Sequence, residues 1–215
     1  MGRQVLVVGV GRFGSAVARE LERLGHEVLA IDRDPRAIED IADDVTHAII
    51  ADAVDQDVLQ KLGAQDFDVA VVAIGTDERS SILATTLLNR LGIKRVVAKA
   101  QNQLHGEILK MVGADRVIFP ETETGTRLAH SLTMPLSVID YFDVGPGYGL
   151  AKLSVASFAG KTLDELQLRS RYGVTPLFLR RGDKVIVNPH GSERLTTGDE
   201  LTVAGKDEQL EKLFL

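Results

Sequence analysis

The sequence has no cysteine and no tryptophan, and only 5% of its 215 residues are aromatic. Without cysteine the chain cannot form disulfides, bind zinc through thiolates or use a thiol nucleophile, and this composition suits a reducing cytoplasm. No apolar run approaches the roughly eighteen residues of a membrane span, and no targeting segment precedes the first predicted strand. These absences favour a cytoplasmic globular protein.

An excess of positive charge is also lacking, since 31 acidic residues outnumber 25 basic ones and the formal net charge at pH 7 is −6. Residues 1–145 carry a formal charge of −7, and residues 146–215 carry +1. An acidic surface repels phosphate backbones, so the sequence predicts no nucleic-acid partner. The 44% hydrophobic and 26% charged content is ordinary for a globular protein of one or two domains.

A glycine-rich turn near the N-terminus organises the rest of the chain. Residues 5–8 are an apolar run typical of a buried parallel strand, and residues 15–24 have the apolar spacing of a helix. Between them lies the sequence Gly9-Val10-Gly11-Arg12-Phe13-Gly14. In this pattern the first glycine permits a tight turn, the second admits a phosphate to the backbone, and the third lets the helix pack on the strand. The amides and dipole at the helix N-terminus favour an anion.

An acidic residue follows at the spacing that a ribose-binding carboxylate requires. Residues 27–31 form the second apolar run, and Asp32 ends it. A carboxylate at this position accepts the ribose hydroxyls and repels a 2′-phosphate, which disfavours NADP. The alternative is that the glycines serve only the turn and Asp32 caps the next helix, which Pro35 begins.

Strand and helix patterns keep alternating through residue 133. Further apolar runs predict strands at 46–50, 68–74, 95–99 and 117–119, and the intervening segments have helical spacing. Six strands connected by helices predict an α/β fold, a Rossmann-like doubly wound parallel sheet over residues 1–133.

The rest of the chain has a different pattern. Residues 145–149 are the densest cluster of glycine and proline, so we predict a linker at 134–145 and a second domain at 146–215. Short strands are predicted at 150–155, 174–179, 185–187 and 201–205, with helical segments at 163–171 and 207–214. This small α+β domain is expected to have little core of its own and to dock on a second copy.

The ligand of a doubly wound sheet binds at the carboxyl ends of its strands. At that edge Asp52 is placed to accept the adenine amino group, and Gly75 lets the backbone pass over the adenosine. The other candidates at this edge are Arg33, Ala53, Ile74, Thr76, Lys99 and Glu121. Lys99 either neutralises phosphate or ends its strand in solvent, and both alternatives stay open.

Arg12 lies inside the predicted phosphate loop at the start of the helix. A guanidinium there supplies forked donors to phosphate oxygens and suits a triphosphate or an exposed pyrophosphate. The alternative is an ordinary surface arginine.

A dehydrogenase needs a second domain that carries a general acid or base near the nicotinamide. None of the five histidines has an evident polar partner, and the second domain is too small to enclose a substrate. We therefore predict that the protein is not an enzyme and that nucleotide binding is a signal. The alternative is a small NAD(H)-dependent oxidoreductase. A nucleotide-sensing repressor is disfavoured because the sequence shows no basic DNA-reading helix.

Several motifs together resemble the RCK (KTN) potassium-channel regulatory domains, and in particular the cytosolic subunits of bacterial Ktr and Trk potassium-uptake systems. They are the glycine loop, Ile31-Asp32, Ala51-Asp52-Ala53, Ala73-Ile74-Gly75, Ala98-Lys99-Ala100-Gln101-Asn102 and residues 113–121. Residues 160–163 and 168–173 fit the RCK_C pattern of the C-terminal domain. The resemblance covers essentially the whole chain, and its single pair of N- and C-terminal domains favours the Ktr type.

The resemblance implies a regulatory subunit that binds ATP, ADP or NAD(H) and gates a membrane potassium transporter. It implies a homodimer that assembles into an octameric ring at the inner face of the plasma membrane, beneath an integral-membrane subunit of the KtrB/TrkH-like kind. It also implies that Arg12 reaches the phosphates and that Glu121 holds a divalent or monovalent cation beside the nucleotide. Cyclic di-AMP binds the C-terminal domain in some members, and Arg169 and Asn188-Pro189 loosely match that site, whereas Pro176 departs from it.

Overall fold

A computed structural model of the protein describes residues 2–213. It divides the chain into a first unit, residues 1–121, and a second unit, residues 122–215. Among the described residues, no helix combines the length and the apolar composition that crossing a bilayer requires.

The first unit is built on a sheet of six strands. They are β1 (Gln4–Val8), β2 (Glu27–Asp32), β3 (His47–Ile50), β4 (Val69–Val72), β5 (Val96–Lys99) and β6 (Arg116–Ile118). Their order is β3-β2-β1-β4-β5-β6, and every neighbouring pair is parallel. This confirms the predicted Rossmann-like sheet. The chain order reverses between β1 and β4, where such folds leave a crevice at the strand ends.

Both faces of this sheet are covered, which explains why its strands are apolar runs rather than alternating patterns. Along β1, Leu6 and Val8 join one buried cluster, while Val5 and Val7 join the cluster on the opposite face. Each of these side chains is at most 3% exposed, and burial of one such side chain contributes roughly 1.5–3 kcal/mol.

Helices connect the strands of the first unit. They are α1 (Arg12–Arg23), α2 (Pro35–Glu39), α3 (Gln56–Lys61), α4 (Glu78–Arg90) and α5 (Gln103–Met111), followed by α6 (Pro120–Thr133), which runs from the end of the first unit into the second. Most begin at a capping side chain that accepts first-turn amides, namely Asp34, Asp55, Asp77 and Asn102. The cap at the start of α1 differs, as described below.

The second unit contains an antiparallel sheet of five strands. They are β7 (Val138–Gly145), β8 (Tyr148–Ser154), β9 (Thr175–Arg181), β10 (Lys184–Val187) and β11 (Glu200–Lys206), in the order β10-β9-β11-β8-β7. This confirms the predicted α+β class of the C-terminal region. The unit has its own buried cluster, in which Tyr141 is 1% exposed and donates its hydroxyl to Asp207 Oδ1 at 2.8 Å. The expectation of little independent core was therefore wrong.

Short helices complete the second unit, namely α7 (Leu163–Leu166), α8 (Leu168–Tyr172) and α9 (Asp207–Leu210). The helical segment predicted at 163–171 is split because Gln167 adopts a left-handed conformation with φ of 51°. The helix predicted at 207–214 ends at Leu210 within the described chain, and Phe214 lies outside the described residues.

The predicted linker at 134–145 is wrong. Residues 138–145 form β7, which pairs with β8 in the second sheet, and the structural division falls at 121/122 instead of 145/146. The strand was hidden in the sequence because Tyr141 is its single fully buried side chain, so its apolar residues show no period of two. The glycine-rich cluster that follows is the turn of the β7–β8 hairpin, with Gly145 and Gly147 at positive φ.

Candidate functional site

A cleft of about 770 Å³ opens at the carboxyl edge of the parallel sheet, where β1 and β4 lie side by side. It is the place where the topology of a doubly wound sheet leaves room for a ligand. Its walls include the glycine loop after β1 and the first turn of α1.

The three glycines of the loop have separate structural roles. Gly9 has a φ of +86°, and a Cβ on it would lie 3.0 Å from the Ile74 amide nitrogen. A Cβ on Gly14 would lie 1.9 Å from the Gly9 carbonyl oxygen, so only glycine lets α1 approach this closely. A Cβ on Gly11 would meet nothing within 4 Å, because this residue faces the open cleft. The turn at Gly9 and the close packing at Gly14 agree with the sequence, and the approach of a phosphate to Gly11 stays a prediction.

The N-terminus of α1 lacks a side-chain cap. Gly11 is the N-cap, no side chain accepts from the first turn, and no acidic residue lies in that turn. The helix therefore presents its first amides and its positive dipole end to the cleft.

Asp32 fixes the loop as well as lining the cleft. Its Oδ2 accepts the Val10 amide at 2.8 Å, and its Oδ1 accepts the Asp34 amide at 2.9 Å. Each carboxylate oxygen keeps a further lone pair for a ribose hydroxyl. The alternative that Asp32 caps α2 is wrong, because Asp34 is the N-cap of that helix.

Lys99 is not a solvated strand end, and its role toward a phosphate stays a prediction. Its side chain is 11% exposed, and its Nζ lies 2.6 Å from Glu121 Oε1. The ammonium also lies 5.7 Å from the centre of the Phe13 ring. The hydrogen bond from Lys99 lowers the pKa of the Glu121 carboxyl. The positive charge of Arg12 lowers this pKa further, by a smaller amount.

Arg12 is exposed at the wall of the cleft and makes no ion pair with any residue in 2–213. Its guanidinium is therefore available to an anion, in contrast to Lys99, which is already paired.

The remaining predicted residues follow the other strands of the sheet. Asp52 Oδ1 accepts the Val54 amide at 3.1 Å, and Gln101 Nε2 donates to the Gly75 carbonyl at 2.6 Å. Arg33, Ala53, Ile74 and Thr76 also line the cleft. Of the fifteen predicted site residues, only Val10 and Gly14 do not line it. Val10 donates its amide to the Asp32 carboxylate, and Gly14 packs α1 against the loop.

Six lining residues were not predicted as site residues, namely Val8, Ala16, Ile31, Ala51, Ala73 and Ser80, although Ile31, Ala51 and Ala73 belong to the motifs quoted from the sequence. Ala16 was accessible to pattern analysis, because it follows Arg12 by one helical turn on the same face of α1. Ser80 lies in the first turn of α4 and donates its hydroxyl to Asp77 Oδ2 at 2.6 Å. The Ser80 hydrogen bonds lower the pKa of Asp77, with a smaller contribution from the charge of Arg33.

A second cavity of about 570 Å³ lies within the second unit. It brings together Arg169, Pro176, Asn188 and Pro189, the residues singled out for the cyclic di-AMP site. Asn188 adopts a left-handed conformation with φ of 50°, and Arg169 is exposed.

No three histidine, aspartate or glutamate side chains group together as metal ligands anywhere in residues 2–213. The cation site at Glu121 stays a prediction.

Comparison with known proteins follows the same division of the chain. The TrkA-N domain family matches residues 5–120, and the TrkA-C domain family matches residues 153–215. Ktr system potassium uptake protein C of Bacillus subtilis (strain 168) is 36% identical over 206 residues, which cover 95% of this chain and 93% of that protein. Ktr system potassium uptake protein A of Vibrio alginolyticus is 35% identical over 209 residues, which cover 97% and 94%.

Solved structures share the fold. The GsuK channel bound to NAD aligns with a TM-score of 0.66 at 20% identity, covering 98% of this chain and 38% of that chain. GsuK bound to ADP aligns with a TM-score of 0.52 at 18% identity, covering 60% and 34%. This chain thus spans well under half the length of the GsuK chains.

These matches confirm the resemblance found in the sequence. The chain belongs to the TrkA-N and TrkA-C domain family of regulatory subunits of Ktr- and Trk-type potassium-uptake systems.

Proposed function

We propose that the protein is a cytoplasmic nucleotide-binding subunit that gates a membrane potassium transporter. The observation that carries the proposal is the cleft of the first unit, where uncapped amides, Arg12 and Asp32 surround one volume. Similarity to Ktr proteins over almost the whole chain supports the transport role. The partner is an integral-membrane subunit of the KtrB/TrkH-like kind, and the protein lies against the inner face of the plasma membrane through it.

The ligand in this proposal is an adenine nucleotide, ATP/ADP or NAD(H). Asp32 accepts the ribose hydroxyls, while the first amides of α1 and the Arg12 guanidinium hold the phosphates. The NAD and ADP named for GsuK support both classes of ligand. A nucleotide gates the transporter only if it binds two conformations of the subunit with different affinities. Two nucleotides that differ at the phosphate end supply that difference through Arg12.

A cation beside the nucleotide is part of the proposal, with Glu121 as one ligand. One carboxylate already paired with Lys99 is an incomplete donor set for either a divalent or a monovalent ion. Phosphate oxygens or the Glu121 of a second copy would have to complete it.

Assembly into a homodimer and then an octameric ring also belongs to the proposal. Large apolar side chains are exposed on and after α6, with Leu128, Leu132 and Leu136 at 57%, 76% and 106%. Such a surface fits a contact with a second copy. An octamer of 23.3 kDa chains has a mass near 190 kDa, which light scattering after size exclusion distinguishes from a dimer.

Cyclic di-AMP in the second cavity is a second ligand proposal. The cavity supplies the exposed Arg169 guanidinium for phosphate and prolines for base contact. If the cavity binds cyclic di-AMP between two copies, the ligand should favour the larger assembly. Light scattering after size exclusion, made with and without cyclic di-AMP, measures this.

Thermal unfolding in the presence of ATP, ADP, NAD, NADH, NADP and cyclic di-AMP tests the ligand assignment, because a ligand that binds only the folded state raises Tm. We expect ATP, ADP or NAD(H) to raise Tm and NADP to leave Tm unchanged. The oxidoreductase alternative predicts NADH turnover with a carbonyl substrate, and the regulatory proposal predicts none.

A further inference from the structure

His105 is buried in the first unit, next to the end of β5. Its side chain is fully withdrawn from solvent, and it is the one buried histidine in the part of the chain that the structure describes. It lies in the first turn of α5, two residues inside the helix, and nothing in the nucleotide site described above uses it.

The imidazole ring accepts a hydrogen bond from the backbone. His105 Nδ1 accepts the Gln101 amide at 3.3 Å, so the neutral ring carries its proton on Nε2. The His105 amide in turn donates to Asn102 Oδ1 at 2.9 Å. The first bond ties the Gln101 backbone to the imidazole, whereas the second is the N-cap of α5 and does not depend on the histidine side chain.

Gln101, which the imidazole holds, and its neighbour Asn102 both contact the segment from the end of β4 to the start of α4 at the wall of the cleft. Gln101 Nε2 donates to the Gly75 carbonyl at 2.6 Å, and Asn102 Nδ2 donates to Glu78 Oε1 at 2.8 Å. Gly75 lines the cleft, and Glu78 begins α4 three residues later. The loop between β4 and α4 is therefore held at both ends by neighbouring residues.

The bond to Gly75 depends on a backbone that is already ordered. The Gln101 side chain is exposed, and an exposed amide that is free to move contributes little to holding a loop. Anchoring the Gln101 backbone removes much of that entropic cost before a ligand arrives. Burial lowers the pKa of His105, against a smaller opposing effect from the Glu78 carboxylate, and so favours the neutral ring that can accept a bond.

We propose that His105 is a positioning residue for the nucleotide cleft: by holding the Gln101 amide, it lets the Gln101 side chain fix the Gly75 carbonyl at the ligand-facing wall. The inference rests on the proposed function, because its readout is nucleotide affinity. His105 itself does not touch the ligand.

Two substitutions separate this role from packing. His105→Leu removes the acceptor and keeps an apolar side chain, while His105→Asn restores an acceptor near the position of Nδ1. We expect His105→Leu to weaken ATP binding to the full chain about 5-fold in calorimetry, as loss of one organising hydrogen bond implies. His105→Asn should bind within about 2-fold of wild type.

The exposed glutamine supplies a test that does not depend on the core. Gln101→Ala should weaken ATP binding by a similar factor, and the double variant with His105→Leu should be no weaker than either single variant. Gln103→Ala is the matched control, because Gln103 lies two residues further along and contacts Glu107 instead of the loop. It should bind as wild type does.

Each outcome decides the question. Unchanged ATP affinity in Gln101→Ala overturns the proposal, even if His105→Leu does not fold. A lower Tm for His105→Leu with wild-type affinity, or losses that add in the double variant, also overturn it. If the wild-type chain binds no nucleotide, both the proposed function and this inference are overturned. If wild type binds nucleotide and the variants bind it with the same affinity, only this inference is overturned.

Discussion

The two units are held together by different means. In the first unit the cleft is shaped by backbone that approaches backbone, as at Gly14, where no side chain fits. In the second unit ion pairs connect neighbouring strands of the antiparallel sheet. Arg181 holds Asp199 at 2.7 Å, and Glu200 lies between Lys152 and Arg180 at 2.5 and 2.6 Å.

This difference predicts what each unit tolerates. A backbone contact fails when a methyl group is added and is indifferent to pH, because no titratable group takes part. An ion pair tolerates small changes of shape and weakens when its carboxylate is protonated. Substitutions in the first unit and pH in the second are therefore the sharpest ways to test the comparison.

The largest effect is expected from Gly14→Ala. Its Cβ would lie 1.9 Å from the Gly9 carbonyl oxygen, so α1 must move away from the sheet. We expect a loss of about 3 kcal/mol in the free energy of unfolding, at the upper end of overpacking effects, and loss of nucleotide binding. Urea denaturation and calorimetry measure the two quantities.

Gly11→Ala is the matched control for that variant. A Cβ at this position meets nothing within 4 Å, and the φ of −64° suits any residue. Stability should change by less than about 0.5 kcal/mol, while nucleotide affinity falls because the methyl group occupies the approach of the phosphate. Equal stability of the two alanine variants would contradict the backbone account.

Asp199 should make the second unit sensitive to acid. Its hydrogen bond to Arg181, together with bonds from Thr196, lowers its pKa from 3.8 to about 2. A carboxyl with a lowered pKa stabilises the fold above its unfolded pKa and loses that contribution as pH falls through the folded pKa. Near neutral pH the free energy of unfolding of wild type should exceed that of Asp199→Asn by about 2 kcal/mol.

That difference should shrink between about pH 4 and pH 2, the window set by the two pKa values. Urea denaturation of both proteins across this range measures it. A difference that stays constant down to pH 2 would show that packing rather than charge connects β9 to the turn before β11.

Arg12→Ala should change nucleotide selectivity more than stability. Arg12 has no ion pair within residues 2–213, so its removal leaves no charge unpaired. We expect ATP affinity to fall about 10-fold and ADP affinity to fall less, as loss of a charge-assisted hydrogen bond implies. The ratio of ATP affinity to ADP affinity, measured by calorimetry, should therefore decrease.

Arg23→Ala is the control on the same helix, where Arg23 pairs with Glu20 at the far end of α1. It should leave both affinities unchanged. Equal losses of ATP and ADP affinity in Arg12→Ala would refute the assigned role.

The smallest effect is expected from an exposed ion pair of the first unit. Lys94 contacts Asp68 at 2.7 Å, but its side chain is 76% exposed and solvent screens the pair. Lys94→Ala should leave the melting temperature unchanged within error. A clear drop would show that surface charge contributes to the first unit after all.

The same contrast explains what the sequence could predict. The glycine loop, Asp32 and the carboxyl-edge residues follow from local spacing, because the backbone roles of Gly9, Gly11 and Gly14 lie within six positions. The pairing of Lys99 with Glu121 was not predicted, since the two lie 22 positions apart and meet only through β5 and α6. Strand β7 was missed because it buries a single large side chain, Tyr141, and so lacks a periodic pattern.

Titration of ATP into the full chain tests the central claim most directly, with Asp32→Ala and Arg169→Ala measured beside wild type. Asp32 lines the cleft of the first unit and Arg169 the cavity of the second, so each variant reports on one unit. We predict saturable binding that Asp32→Ala weakens and Arg169→Ala leaves intact. Absence of binding heat from folded wild-type protein, or affinity that Asp32→Ala does not change, would contradict a nucleotide in the cleft of the first unit.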